Sequence, residues 1–237
     1  MSPRPADAPA RVALISGASR DIGLAVAERL ASEGWHLSLG MREPALPGFA
    51  DPERTPLQRH EAAADGEAEW VSAALSRFGR VDAIVANAGL MIPKSVIDAE
   101  NEELDAMLGV NVKAPRRLAK AAFEALAAGG QGRVIVLASL SGQRVKSPAS
   151  SLYAMTKFAG VALAHDIRQS GFDRGIRATA VCPSFVATDT AATITDREPA
   201  AMTSASELAA IVSMLVNLSN TASVAEFAVK CQLEESF

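Results

Sequence analysis

Hydrophobic positions along the chain fall into two kinds of block that alternate almost from end to end. Short β-branched runs suit strands buried on both faces, and the longer stretches between them, with apolar positions three and four apart, suit helices. The run Arg11-Val12-Ala13-Leu14-Ile15-Ser16 reads as a strand, followed by a glycine turn and a helix over residues 22–33 that Gly34 stops. A second strand is expected at 35–39, and a helix over 65–78 places Trp70, Ala74 and Leu75 on one face. Strands at 83–86 and 134–137 bracket a helix over 104–126. A helix over about 151–168, a strand at 178–181, a helix over 206–218 and a strand at 226–230 complete the pattern. Between Met41 and Leu57 lie four prolines and a glycine with little periodicity, so this stretch is expected to be a loop or a single helical turn before a third strand near 57–60. Such an alternation predicts an α/β fold: a Rossmann-like, doubly wound parallel sheet of about seven strands with helices on both faces. One domain over 11–237 is expected, behind a flexible tail over 1–10.

Composition narrows the class without deciding the chemistry. Apolar residues make up 49% of the chain, enough for a sizeable core. The net charge of −4 gives no general attraction to nucleic acid or to an anionic membrane. No stretch approaches the ~20 apolar residues of a membrane span. The first ten residues hold three prolines and no apolar run, which fits neither a signal peptide nor a helix. Cys182 and Cys231 lack metal or redox spacing and are expected to be reduced thiols of a cytoplasmic protein; no metal site is expected.

Chemistry is concentrated at the carboxyl ends of the expected strands, where open α/β sheets bind ligands. The turn Ser16-Gly17-Ala18-Ser19-Arg20-Asp21-Ile22-Gly23 joins strand to helix, with small residues that admit a pyrophosphate and a helix N-terminus that offers free N–H groups. An ordinary tight turn is the lesser alternative for that spacing alone. At the end of the second strand, where an acidic residue would bind ribose hydroxyls, stand Met41 and then Arg42, with Arg20 in the glycine turn on the same side. Two guanidiniums and no carboxylate suit a 2′-phosphate, so the cofactor is expected to be NADP(H). Tyr153 and Lys157 lie four apart on the helix after the fifth strand, so they share a helix face. A phenol near pKa 10 is a poor base at neutral pH, and a neighbouring ammonium together with a positive nicotinamide ring favours the phenolate. Ser139 ends the fifth strand and has a hydroxyl to offer a substrate oxygen. Tyr153 is the one tyrosine in the chain.

In order and position these motifs resemble the short-chain dehydrogenase/reductase family, in its compact one-domain branch, from Val12 to about Leu218. The resemblance places Gly17 and Gly23 at the outer glycines of a Gly-x-x-x-Gly-x-Gly turn and puts Asp21 where the middle glycine belongs. A carboxylate there repels a pyrophosphate, by ~1 kcal/mol if exposed. The reading preferred from sequence is that Asp21 caps the following helix and points away. The resemblance also implies that Ser139, Tyr153 and Lys157 are catalytic, with Asn111 on a proton relay reaching the lysine. It implies that Asn87-Ala88-Gly89 supports the sheet beside the cofactor, and that Pro183, Val186 and Thr188 hold the nicotinamide carboxamide, with Ser184 in a glycine's place. His60, Glu61 and Asp65 remain open as the adenine contact. The expected activity is hydride transfer between nicotinamide and a small-molecule carbonyl or alcohol, in a homotetramer or homodimer. The alternative is a non-catalytic sensor or scaffold that binds a dinucleotide. The substrate pocket is expected among residues 91–94, 140–146, Phe185 and a lid over 190–203.

Overall fold

The computed structural model describes residues 9–233. Of the expected tail, residues 1–8 lie outside the described residues, and Pro9 and Ala10 are irregular coil. Seven parallel strands form one sheet: β1 (Val12–Ser16), β2 (His36–Met41), β3 (Leu57–Arg59), β4 (Ala83–Ala86), β5 (Arg133–Leu137), β6 (Arg177–Pro183) and β7 (Glu226–Val229). Their order is β3-β2-β1-β4-β5-β6-β7, so the winding reverses between β1 and β4. Residues 42–56 contain turns and no helix, in line with the proline-rich pattern.

Strand alternation sends successive side chains to opposite faces, and both faces are covered. On one side Leu14, Ile84 and Val134 pack with Trp70, Leu118 and Leu126. These helical residues come from α2 (Glu67–Phe78) and α4 (Ala114–Ala128), and α5 (Pro148–Gly171) covers the same face. On the other side Ile15, Leu37, Leu39 and Val85 pack with Leu30 and Val212, from α1 (Asp21–Ser32) and α7 (Ala205–Asn217). Fully burying each such large side chain contributes about 1.5–3 kcal/mol.

The structure revises two expected helices. The one expected over 104–126 is two helices, α3 (Asn101–Leu108) and α4, joined by a single π-turn over Gly109–Lys113. A wide turn of this kind forms when a side chain competes for the helix interior, and Asn111 sits inside it. α5 begins at Pro148, because Ser147 and Ser150 form a reciprocal cap and Pro148 is well suited to the first helical position. Tyr153 therefore lies in the second turn rather than at the opening of the helix.

At the sheet edge, a buried ionic cluster that periodicity does not reveal ties α2 to α4. Arg117 donates to both Glu67 carboxylate oxygens, at 2.7 and 2.9 Å, and to the backbone carbonyls of Ala62 and Ala64. His60 Nε2 lies 3.2 Å from Glu67 Oε1, and its ring packs against Trp70. Burial by itself would raise the Glu67 pKa, but the Arg117 and His60 hydrogen bonds overturn that and hold it below the usual carboxylate range.

Arg117→Met would leave a buried carboxylate without its cation and is expected to cost about 3 kcal/mol in urea unfolding at pH 7. The folded Glu67 pKa is depressed, so its stabilisation is present at neutral pH and is lost as pH falls through the folded value. The deficit of the variant against wild type should therefore shrink on acidification; a deficit constant with pH would contradict the coupling.

Candidate functional site

The reversal of winding leaves a crevice above the ends of β1 and β4, and hydrogen bonds at those ends set its floor. Ser16 Oγ accepts the backbone N–H groups of Asn87 and Ala88, both at 3.1 Å. Asn87 Nδ2 donates to the carbonyls of Ser16 (3.2 Å) and Gly17 (3.0 Å). This fastening needs glycine at two points. A Cβ on Gly17, at φ +65°, would stand 2.9 Å from Ala88 Cα, and one on Gly23 would stand 2.2 Å from the Gly17 carbonyl oxygen. Ala18 N–H donates to the Gly40 carbonyl at 3.2 Å, which lays the turn against the end of β2. No side chain caps the first turn of α1, so its amides face the crevice beside Ser19 and Ile22 without a protein cap.

Asp21 is not the cap that the sequence led us to expect. Arg20 occupies the N-cap position, and Asp21, the first residue of α1, has φ +51°. It keeps the left-handed backbone that a glycine would adopt there, at a cost of about 1 kcal/mol. Its side chain reaches across the crevice instead: Oδ1 accepts the backbone N–H of Asp189 at 3.4 Å, and Arg20 Nε lies 3.6 Å from Oδ2. Partial burial and the Asp189 charge raise the Asp21 pKa, against the opposing pull of the Asp189 N–H and Arg20. Arg20 in turn donates to the Asp189 carboxylate at 2.6 Å. Arg42, directly after β2, is exposed.

Ser139, Tyr153 and Lys157 converge beyond β5. The Tyr153 hydroxyl is buried near Ser139; burial pushes the phenol's pKa up, and Ser139 pulls it down. Ser139 Oγ also accepts the Ser141 N–H at 3.1 Å and lies 3.5 Å from the Pro183 carbonyl. Lys157 is buried, and its Nζ donates to the Leu137 carbonyl at 2.7 Å and sits 5.4 Å from the centre of the Tyr153 ring. Burial without a carboxylate partner lowers its pKa to about 8. The ammonium thus lies over the ring rather than on the phenol oxygen. One of its three donors is used, which leaves two for ligand hydroxyls.

Asn111 makes three hydrogen bonds: Oδ1 accepts Leu90 N–H, and Nδ2 donates to the Leu90 carbonyl and to Thr156 Oγ1. Thr156 Oγ1 donates to the Tyr153 carbonyl at 2.9 Å. Asn111 therefore fixes the π-turn against the helix that carries Tyr153 and Lys157. A Cβ on Gly89 would lie 3.7 Å from Asn111 Oδ1 and 3.9 Å from Lys157 Nζ, so Gly89 borders a small space shared by both. Ser16 and Thr156 are functional supports that sequence reading missed. Their signal was a polar residue at the end of an otherwise apolar strand, and another on the buried face of α5.

Beyond β6, Val186 is buried and bridges Thr203, while Thr188 Oγ1 accepts Ala191 N–H and so caps the short α6 (Asp189–Ala192). This brings residues 186–203 opposite the glycine turn. Of the three open adenine-side residues, His60 is turned inward onto Glu67, and Asp65 lies 3.2 Å from Arg117. Glu61 is exposed and meets no cation at ion-pair distance among the described residues. Both cysteines are free, and no cluster of metal-ligating side chains occurs among the described residues. No helix among them is long and apolar enough to cross a membrane.

Comparison with known proteins identifies the family and its relatives. The chain matches the family model described as short chain dehydrogenase over residues 11–199. It is 36% identical over 230 residues to an agropine synthesis reductase of Rhizobium rhizogenes, a match that covers 94% of this chain and 53% of that protein. The chain thus spans about half the length of that relative. It is 31% identical over 190 residues to the oxidoreductase UcpA of Escherichia coli (strain K12), covering 78% of this chain and 72% of that one. Among solved structures, a short chain dehydrogenase from Burkholderia cenocepacia J2315 in complex with NADP superposes with a TM-score of 0.84 at 26% identity, over 94% of this chain and 97% of that one.

The backbone of Asp21 supplies a prediction. Asp21→Ala keeps the strained φ and loses the tie to Asp189, so it should lower stability by about 1 kcal/mol. Asp21→Gly relieves the strain and should leave stability unchanged or higher. Urea unfolding of both variants checks this ordering, and an alanine variant as stable as the glycine one would refute it.

Proposed function

The chain belongs to the short chain dehydrogenase family, and we propose that it is an NADP(H)-dependent oxidoreductase interconverting a carbonyl and an alcohol, with Tyr153 as acid/base. One observation carries this reading: Ser139, Tyr153 and Lys157 gather beyond β5, and the buried Lys157 ammonium, without a carboxylate partner among the described residues, lies over the Tyr153 ring. A purely structural lysine would be paired or exposed.

The residues present fit a nicotinamide dinucleotide. The uncapped α1 N-terminus with Gly17, Ser19, Ile22 and Gly23 would hold the pyrophosphate, while the Asp21 side chain turns towards Asp189 and Arg20, expected with Arg42 at the 2′-phosphate, is drawn to the Asp189 carboxylate. Arg42 would meet the 2′-phosphate, Asn87-Ala88-Gly89 would border the adenosine side, and Pro183, Val186 and Thr188 would border the carboxamide. The two spare Lys157 donors suit ribose hydroxyls. When bound, the dinucleotide supplies or accepts the hydride at its nicotinamide ring.

Ser139 and Tyr153 would hold one substrate oxygen between them. In reduction Tyr153 gives its Oη proton to that oxygen, and in oxidation it takes the proton back. Burial raises the phenol's pKa, and a charged Lys157 beside the ring would favour the phenolate in either direction. Asn111 keeps Lys157 and Tyr153 in register through Thr156. The substrate is a small molecule, and Phe185, flanked by Lys146 at 5.7 Å and Arg197 at 5.6 Å, borders its entrance. A homodimer or homotetramer fits the exposed Met155 and Phe158 on α5.

A second reading, a dinucleotide-binding sensor or scaffold without turnover, is favoured by the Asp21 carboxylate in the glycine turn. Tyr153→Phe separates the two: turnover on a carbonyl panel should fall by at least a thousandfold, with NADPH affinity by fluorescence within twofold of wild type. A wild type that binds NADPH and reduces no member of the panel supports the sensor.

Lys157→Met supplies an independent check in the chain without cofactor. The folded lysine's pKa is lowered to about 8, so its burial is unfavourable below that pH and is relieved between about 8 and 10.5. Wild-type stability should rise over that window, and the variant should lack the rise. The variant should be more stable at pH 7 by on the order of 3 kcal/mol, yet inactive.

A further inference from the structure

Arg59, to which neither motif nor resemblance assigns a role, stands beside the end of β2. The parallel register pairs Met41 with Arg59, so the residue before Arg42 has Arg59 as its neighbour on the next strand, about 4.8 Å away. The His60 N–H donates to the Met41 carbonyl at 2.8 Å, which holds this register to the last residue of the strand. Leu39, Met41 and Leu57 all belong to the core layer on the α1 side, and Arg59, two residues after Leu57, faces the same side. The glycine turn sits on that side too, joined to β2 through the Ala18 N–H and Gly40 carbonyl. The carboxyl ends of β2 and β3 thus set Arg42 and Arg59 at neighbouring positions, with the glycine turn joined to the same end of β2.

Charge distinguishes the three arginines there. Arg20 is committed to Asp189 at 2.6 Å and lies 3.6 Å from Asp21. Arg42 and Arg59 are both exposed, and neither guanidinium has an ion-pair partner among the described residues. Carboxylates do lie near Arg59: Glu61, Asp65 and Glu69 line the same cleft of about 240 Å³. Asp65 is held by Arg117, and neither of the others comes within ion-pair distance of Arg59. Two unpaired arginines on neighbouring strand ends offer a grip for a phosphomonoester dianion, each guanidinium able to give paired hydrogen bonds.

We propose that Arg59, acting with Arg42, is a specificity-determining residue that selects the 2′-phosphorylated dinucleotide. This rests on the NADP(H) reading above, and direct binding tests the two separately. Fluorescence titration of the whole chain with NADPH and with NADH, and calorimetry with 2′,5′-ADP, would be run on wild type, Arg59→Ala, Arg59→Lys, Arg42→Ala and Arg20→Ala. In Arg59→Ala, NADPH and 2′,5′-ADP should each bind at least tenfold more weakly while NADH moves less than twofold. Arg59→Lys should recover part of the loss, because lysine keeps the charge without the planar fork. Arg20→Ala should change the NADPH to NADH ratio less than Arg59→Ala does. If wild type prefers NADPH and Arg59→Ala leaves the ratio unchanged, the assignment of Arg59 is overturned and the NADP(H) reading stands. If wild type prefers NADH or binds neither, both are overturned.

Discussion

Everything in the crevice depends on how closely β1 and β4 approach where the winding of the sheet reverses. The Gly17 backbone lies against Ala88, and a single Cβ there would collide with it. Ser16 and Asn87 close the gap with four hydrogen bonds, so strand ends that would otherwise diverge are locked in register. The same contact aims the N-terminus of α1 into the crevice and leaves it uncapped. Gly89, two residues past Asn87, then borders the space between Asn111 and Lys157. Nucleotide side and catalytic side are thus built from one fastening, and a shift at Ser16 would be felt at both.

Two buried charges show how differently the fold treats structure and chemistry. Glu67 meets Arg117 in a bidentate pair and His60 besides, so its burial is offset and its acidity increases. Lys157 is as deeply buried but has a carbonyl for company and no carboxylate, and its pKa falls to about 8. A charge left so poorly matched is an energetic cost to the isolated chain. Under the proposed function that cost becomes useful, because ligand hydroxyls would complete the donor set and a neighbouring phenolate would need a cation.

Asp21 illustrates a substitution whose backbone and side chain have separate consequences. The backbone keeps the positive φ of the glycine turn, so the path of the chain into α1 is preserved. The side chain is spent on Asp189, together with Arg20, and links the glycine turn to the segment that carries Val186 and Thr188. The carboxylate is thereby turned towards the opposite wall.

The order of strands and helices, their parallel sheet and the residues around Tyr153 were legible in the sequence, because apolar periodicity and short motif spacings are local properties. Tyr153 and Lys157 share a helix face by virtue of being four apart, whatever the rest of the chain does. Contacts between segments distant in sequence have no such local signature. Nothing in the run around Asn111 announces a π-turn, since it takes Leu90 and Thr156 to hold it. Asp21 looked like a helix cap because capping preferences are local statistics, whereas Asp189 decides where its carboxylate goes and lies 168 residues away. Arg59 looked like any polar strand end until parallel register set it beside Met41. The sequence by itself determined the order of strands and helices and offered the candidate reactive groups; the tertiary structure decided which charges are paired, because pairing is a matter of proximity across the fold.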